Sequence, residues 1–112
     1  MGYTYPDIAF AISAVETGYW WTQPPGFNLF GMKKNPRGFY ASLSKDGYCR
    51  YTSESASLAD YGAYERQVIA KYNLVSRAAY LGHIHRRFCP TASYRVKLAL
   101  AFQTLATIRS LT

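Results

Sequence analysis

Hydrophobic residues recur at three- and four-residue intervals in four separate stretches of this chain, and each stretch is bounded by residues that start or stop a helix. In the first, Ile8, Ala11, Ile12 and Val15 form the stripe, Pro6 sits in the opening turn and Gly18 supplies the stop. Thr4 is placed to act as its N-cap, with Asp7 three residues on in an Asp-type variant of the capping box. The second helix starts near Ser53 and carries Leu58, Tyr61, Glu65, Val68 and Tyr72 on one face. A third, over about 74–87, carries Leu74, Ala78, Leu81 and Ile84. Cys89-Pro90-Thr91 breaks it, and Thr91 is set to cap the last helix, whose stripe is Tyr94, Leu98, Phe102, Leu105 and Ile108.

Two stretches escape this period. Residues 19–38 hold Pro24-Pro25-Gly26 and Asn35-Pro36 and read as an irregular loop. Loops of that length inside a compact domain are usually functional. Residues 39–51 read as a hairpin, with Phe39 to Leu43 and Tyr48 to Tyr51 joined by a turn at Lys45-Asp46-Gly47. The expected fold class is therefore mainly α (α+β), one helical domain over residues 1–112 with one small β-hairpin. Hydrophobic residues make up 49% of the chain, enough for a real core. No repeat or low-complexity tract interrupts it. No apolar run approaches the roughly 18–20 residues of a membrane span, and no signal peptide is visible.

Charge narrows the chemistry from two sides. Thirteen Lys and Arg against six Asp and Glu give +7, which favours a polyanionic partner and makes encounter salt-sensitive. Nucleic acid, anionic lipid and the bacterial wall all qualify, but no helix-turn-helix or RNA-binding signature is present, so no nucleic acid is expected. The basic residues are scattered, and a solvated surface is the competing reading. Any acid–base chemistry must draw on Asp7, Glu16, Asp46, Glu54, Asp60 and Glu65. Eleven Tyr, six Phe and two Trp suit stacking on sugar rings as well as a half-buried core. Cys49 and Cys89 form no disulfide framework, and their pairing is open. His83 and His85 sit two apart, which on a helix turns them to different faces, so no metal or other cofactor is expected.

Among the six acids, Glu16 stands out. It falls in the last turn of the first helix, where the macrodipole disfavours a carboxylate. Ile12, Val15 and the following Tyr19-Trp20-Trp21 predict apolar surroundings. Both effects would raise its pKa and keep it protonated near neutral pH, as a glycosidase general acid requires. The competing reading is a helix-end glutamate turned to solvent.

The flanking pattern sharpens this. Ala14-Val15-Glu16-Thr17-Gly18-Tyr19, followed by Asn28-Leu29-Phe30-Gly31-Met32-Lys33, resembles the glucosaminidase family, glycoside hydrolase family 73, among the lysozyme-like peptidoglycan hydrolases. Tyr51-Thr52-Ser53 with Leu58-Ala59-Asp60-Tyr61, and Phe88 through Leu98, resemble its later segments more loosely. The resemblance implies a lysozyme-like fold and cleavage of the β-1,4 bond between N-acetylglucosamine and N-acetylmuramic acid. It matches Glu16 to the catalytic acid. It also implies that Asn28, Leu29, Phe30 and Gly31 line or brace the cleft, that Tyr94 is an aromatic near the acid, and that Tyr19 contributes to substrate binding. The bland readings are a turn residue for Asn28, a core aromatic for Phe30, and core packing for Tyr51, Leu58 and Tyr61. The implied partner is the glycan strand of bacterial peptidoglycan, met at the cell wall by a monomer that is secreted, virion-associated or released at lysis.

The chain departs from the family where a second carboxylate is wanted. The hairpin offers only Asp46, the candidate partner of Glu16, and its Lys-Asp-Gly setting equally suits a structural turn. Asp60 matches a helix residue that fixes helix contacts. The family's Asp-Pro is Cys89-Pro90 here. Three routes stay open: inversion with a second carboxylate, substrate-assisted attack by the 2-acetamido group, and lytic transglycosylation by a single glutamate. A single well-placed Glu favours the last two. The alternatives are a lytic transglycosylase or muramidase of the same fold and, from another class, a non-catalytic wall-binding module.

Overall fold

The computed structural model describes residues 2–19, 24–87 and 92–111. It is mainly helical: α1 (Pro6–Thr17), α2 (Glu54–Tyr72), α3 (Arg77–Arg87) and α4 (Ala92–Ser110), with one antiparallel pair, β1 (Ser42–Leu43) and β2 (Cys49–Arg50). A 3₁₀ turn at Pro25–Phe27 lies between α1 and β1. Among the described residues no helix is long and apolar enough to cross a membrane.

Helix α1 is buried on most of its circumference. Ile8, Ala11, Ile12 and Ala14 are wholly enclosed, and the small Ala9 and Ser13 let neighbours approach closely. It packs against α4, where Leu98 and Ala101 are the fully buried positions. Truncating Ile12 to alanine in such a setting costs about 2–5 kcal/mol. Gly18 ends the helix in the left-handed conformation (φ 57°), its N–H bonding the Ala14 carbonyl, as expected. The start differs. Tyr5, not Thr4, is the N-cap, and no side chain caps the turn. Thr4 and Tyr5 instead donate their backbone N–H groups to the two carboxylate oxygens of Glu65, at 2.6 and 3.0 Å. Glu65 belongs to α2 and is fully buried, so a distant carboxylate anchors the backbone that leads into α1.

Helix α2 opens on Ser53, whose Oγ accepts the Ala56 N–H at 3.2 Å, and closes on Asn73 in the left-handed region (φ 52°). Tyr61 is its central core residue. Its ring stacks on Phe30 at 4.4 Å and meets the edge of Tyr3 at 5.5 Å, and its hydroxyl pairs with that of the equally buried Tyr80 at 2.8 Å. That pairing lets two phenols be buried with their polar ends satisfied. Tyr72, at the end of the expected stripe, is half exposed because the helix stops there.

Helix α3 begins three residues later than its periodicity suggests. Asn73 has just terminated α2, and Ser76 then caps the new helix by accepting the Ala79 N–H at 3.1 Å. Leu74 is buried in the connection, Ala78 faces solvent, and Tyr80 with Ile84 makes the core face. In α4 the stripe sinks at Leu98 and fades toward the C-terminus, leaving Ile108 exposed. Thr91, its expected cap, lies outside the described residues, as does Cys89.

The hairpin is shorter than expected but in the expected place, with Ser42 opposite Arg50 and Leu43 opposite Cys49. The second edge of β2 is also occupied. Cys49 N–H donates to the Met32 carbonyl at 2.8 Å, Tyr51 N–H to Gly26 at 2.7 Å, and Lys34 N–H reaches the Gly47 carbonyl at 3.0 Å. The irregular segment after α1 thus runs along the hairpin as a third rail. Gly26 is required there: a Cβ would stand 2.8 Å from that of Arg50.

Candidate active site

A cleft of about 440 Å³ opens between the end of α1, the segment Gly31–Arg37, Tyr48 of the hairpin, Tyr64 of α2, and Arg87 and Tyr94 of α3 and α4. Glu16 is the one carboxylate among the described residues that line it. The helix stop at Gly18 leaves Glu16 in the last turn with its side chain in the opening. Tyr94 Oη donates to its Oε1 at 2.7 Å, a bond between α4 and α1 that joins residues 78 positions apart in sequence. Opposite lies Gly31 (φ 64°), so close that a Cβ built on it would be 2.7 Å from Oε2 and 2.8 Å from Cδ. Only hydrogen at this position lets the loop backbone approach the carboxylate.

The apolar enclosure expected around Glu16 is not found among the described residues. Glu16 and Tyr19 are exposed and Val15 is half-buried; Trp20 and Trp21 lie outside the described residues. What holds the carboxylate is geometry, the Tyr94 hydroxyl on one side and the Gly31 backbone on the other.

The loop wall is braced from behind. Asn28 is buried, and its side chain both accepts the Met32 N–H and donates to the Met32 carbonyl, each at 2.9 Å. Leu29 N–H donates to Ser57 Oγ of α2 at 3.1 Å. Phe30 lies in the core against Tyr61. Asn28 and Phe30 therefore shape the wall without lining it. Tyr19 lies on a separate depression with Leu100, Gln103, Thr104 and Thr107 of α4. Asp46 is exposed at the hairpin turn and is not among the cleft residues. Of the residues singled out from the sequence, the fold brings Glu16, Gly31 and Tyr94 together.

Arg37 is the residue that pattern reading did not find. Its Nε pairs with the fully buried Asp60 of α2, its Nη2 meets Met32 Sδ at 3.6 Å, and its guanidinium lies 5.4 Å over the Tyr64 ring. Asp60 also accepts the Tyr51 hydroxyl, so one carboxylate fastens the cleft wall and the end of β2 to α2. Lys34, Asn35, Tyr48, Tyr64 and Arg87 likewise reach the cleft through tertiary approach alone. Every buried side-chain polar atom among the described residues has a partner.

Burial dominates the electrostatics of these supports. The Tyr64 phenol is pushed up to about 12 by desolvation, against the pull of Arg87 and Arg37. Tyr51 is held far above the ordinary phenol value by burial and by Asp60, and the Cys49 thiol is raised by burial. Cys49 Sγ donates to the Lys33 carbonyl at 3.2 Å, behind the wall. His83 is lowered by partial burial and by Arg86 and Arg87. No group of three His, Cys, Asp or Glu able to hold a metal occurs among the described residues. The arrangement offers a single acid–base carboxylate, a phenol that steers it, and cationic and aromatic walls. No family model, curated protein or solved structure matches the chain.

Proposed function

We propose that the chain is a peptidoglycan-cleaving glycosidase that acts at the bacterial cell wall with Glu16 as its general acid. The observation that carries this reading is the placement of Glu16 as the one carboxylate on an open cleft, held by Tyr94 Oη at 2.7 Å and flanked by the Gly31 backbone. The glucosaminidase-like motifs around Glu16 and Asn28–Lys33 meet at this point.

In the reaction, Glu16 gives its proton to the glycosidic oxygen as the C1–O bond breaks. With no second carboxylate on the described walls, the electron pair for C1 comes from the substrate. In N-acetylglucosamine the 2-acetamido oxygen attacks C1; water then opens the oxazolinium ring, and the Glu16 carboxylate takes its proton. The same geometry serves a lytic transglycosylase, in which the C6 hydroxyl of N-acetylmuramic acid attacks C1 and Glu16 accepts its proton. Mass spectrometry of the products separates the two. A reducing N-acetylglucosamine end marks the first, a 1,6-anhydro muramic end the second.

Glu16→Gln tests the role of the acid, with an expected loss of about 10²–10⁴-fold in turnover of purified peptidoglycan. Tyr94→Phe keeps the proton donor and removes its steering bond, so turnover falls. Undiminished lysis by Glu16→Gln removes Glu16 from the mechanism, whereas binding to peptidoglycan with no lysis by the unaltered chain marks a non-catalytic wall-binding module.

A further inference from the structure

We propose that the cleft selects an anionic glycan: Lys33 and Lys34 on the loop wall and Arg87 at the end of α3 take the carboxylates of stem peptides branching from the sugar chain, in preference to a neutral chitin-like strand. This rests on the reading above and adds the chemistry by which the substrate is recognised.

Among the described residues, no acid neutralises Lys33, Lys34 or Arg87 of the cleft. Asp7 pairs with Arg77, Asp60 with Arg37, and Glu65 accepts two backbone N–H groups. Asp46 and Glu54 lie away from the cleft walls. Lys33, Lys34 and Arg87 form no ion pair among the described residues, yet all three line the one cleft that holds Glu16. Arg37, the fourth cation there, is spent on Asp60 and is largely covered, so it is part of the frame.

The remaining three are exposed, and Lys33 and Arg87 are also positioned. Lys33 Nζ stands 5.4 Å over the Tyr48 ring, which leaves ammonium donors for a ligand, and Arg87 bonds the Tyr64 phenol. Tyr48 itself is 42% exposed and lines the same cleft as Glu16, with Lys33 over its ring. A neutral chain entering here offers the three cations hydrogen-bond acceptors but no counter-charge, so it gains no ionic attraction from them. A strand whose alternate sugars carry carboxylate-bearing peptides returns a partner to each. Sugar-ring contact at Tyr48 with carboxylate contact beside it matches that alternation. A neutral polysaccharide has no use for this wall.

The test measures binding apart from cleavage, using the full chain carrying Glu16→Gln. Soluble glycan strands with stem peptides, prepared free of teichoic acid, are compared with the same strands after their carboxylates are converted to neutral amides. Intact strands should bind about tenfold more tightly, and the gap should shrink as KCl rises from about 50 to about 500 mM. Adding Lys33→Gln, Lys34→Gln and Arg87→Gln together should bring the two affinities within about twofold. Lys34→Gln alone, at an exposed loop position, should narrow the gap in the same direction and serves if the combined variant does not fold. Equal affinity for both strands before those three changes overturns the proposal, as does a gap that survives them. Displacement of intact strands by a single-stranded oligonucleotide at lower concentration also overturns it in favour of a nucleic-acid groove. Should the chain with Glu16 intact cleave neither strand while the affinity gap holds, the glycosidase reading fails and the anionic site stands.

Discussion

Replacing Gly31 with alanine isolates the contact that most directly shapes the cleft. At φ 64° an alanine pays the left-handed penalty of about 1–2 kcal/mol. For a domain of this size that lowers Tm by about 4–8 °C. The new methyl also meets Glu16, 2.7 Å from Oε2 and 3.0 Å from Oε1. The carboxylate is the flexible end of an exposed side chain, so it yields, retreating about 0.7 Å to reach ordinary contact. That motion costs little stability but breaks the alignment with Tyr94, and displacement on this scale at a reacting group lowers turnover by about 10²-fold. Gly38 provides the matched control: it also has positive φ (82°), and a Cβ there meets nothing within 4 Å. Gly38→Ala should show a comparable Tm loss with unchanged peptidoglycan cleavage, measured as release of soluble fragments. Wild-type cleavage by Gly31→Ala, at the same Tm loss, refutes the claim that this close approach positions the acid.

Asp60→Asn leaves the Arg37 guanidinium under cover without its counter-charge and should destabilise the fold by about 3–5 kcal/mol, read as a lower urea midpoint at unchanged m-value. Glu65→Gln should cost about 1.5–3 kcal/mol and speed hydrogen exchange selectively at the Thr4 and Tyr5 amides. Tyr51, Tyr61, Tyr64 and Tyr80 are all raised above the ordinary 10.0 by burial, so they stay protonated in the native state while the unfolded chain ionises. Stability from these phenols is whole below about pH 10 and is lost as pH rises beyond it, each contributing about 1.4 kcal/mol per pH unit. Urea midpoints between about pH 9 and pH 11 should fall steeply, less so in Tyr80→Phe; a flat profile contradicts the buried-phenol core.

What the sequence disclosed follows the range of the forces involved. Ser53 and Gly18 were legible because a cap acts within three or four residues of itself. Thr4 was not, because its own N–H and that of Tyr5 are drawn to Glu65, some 60 positions away, and the helix starts one residue later. Tyr80 escaped notice because its burial depends on a hydroxyl partner, Tyr61, on another helix. In the cleft, the motif residues Glu16, Gly31 and Tyr94 lie together. The cationic wall was visible only as scattered charge, since the adjacent Lys33 and Lys34 meet Arg87, over 50 positions away, only through packing. Asn28 and Phe30 show the reverse: a motif marks them, and the fold uses them behind the wall.

The bonding of β2 on both edges bears on how the cleft can move. Its outer partner is not a strand but the irregular segment that carries Gly31 to Asn35 on its other side. A force that pushes this segment aside must also break the Cys49–Met32, Lys34–Gly47 and Tyr51–Gly26 bonds, so the wall opens with the hairpin or not at all. Asp60 ties both to α2 through Arg37 and Tyr51, so hairpin and wall make one side of the cleft facing Glu16 and Tyr94.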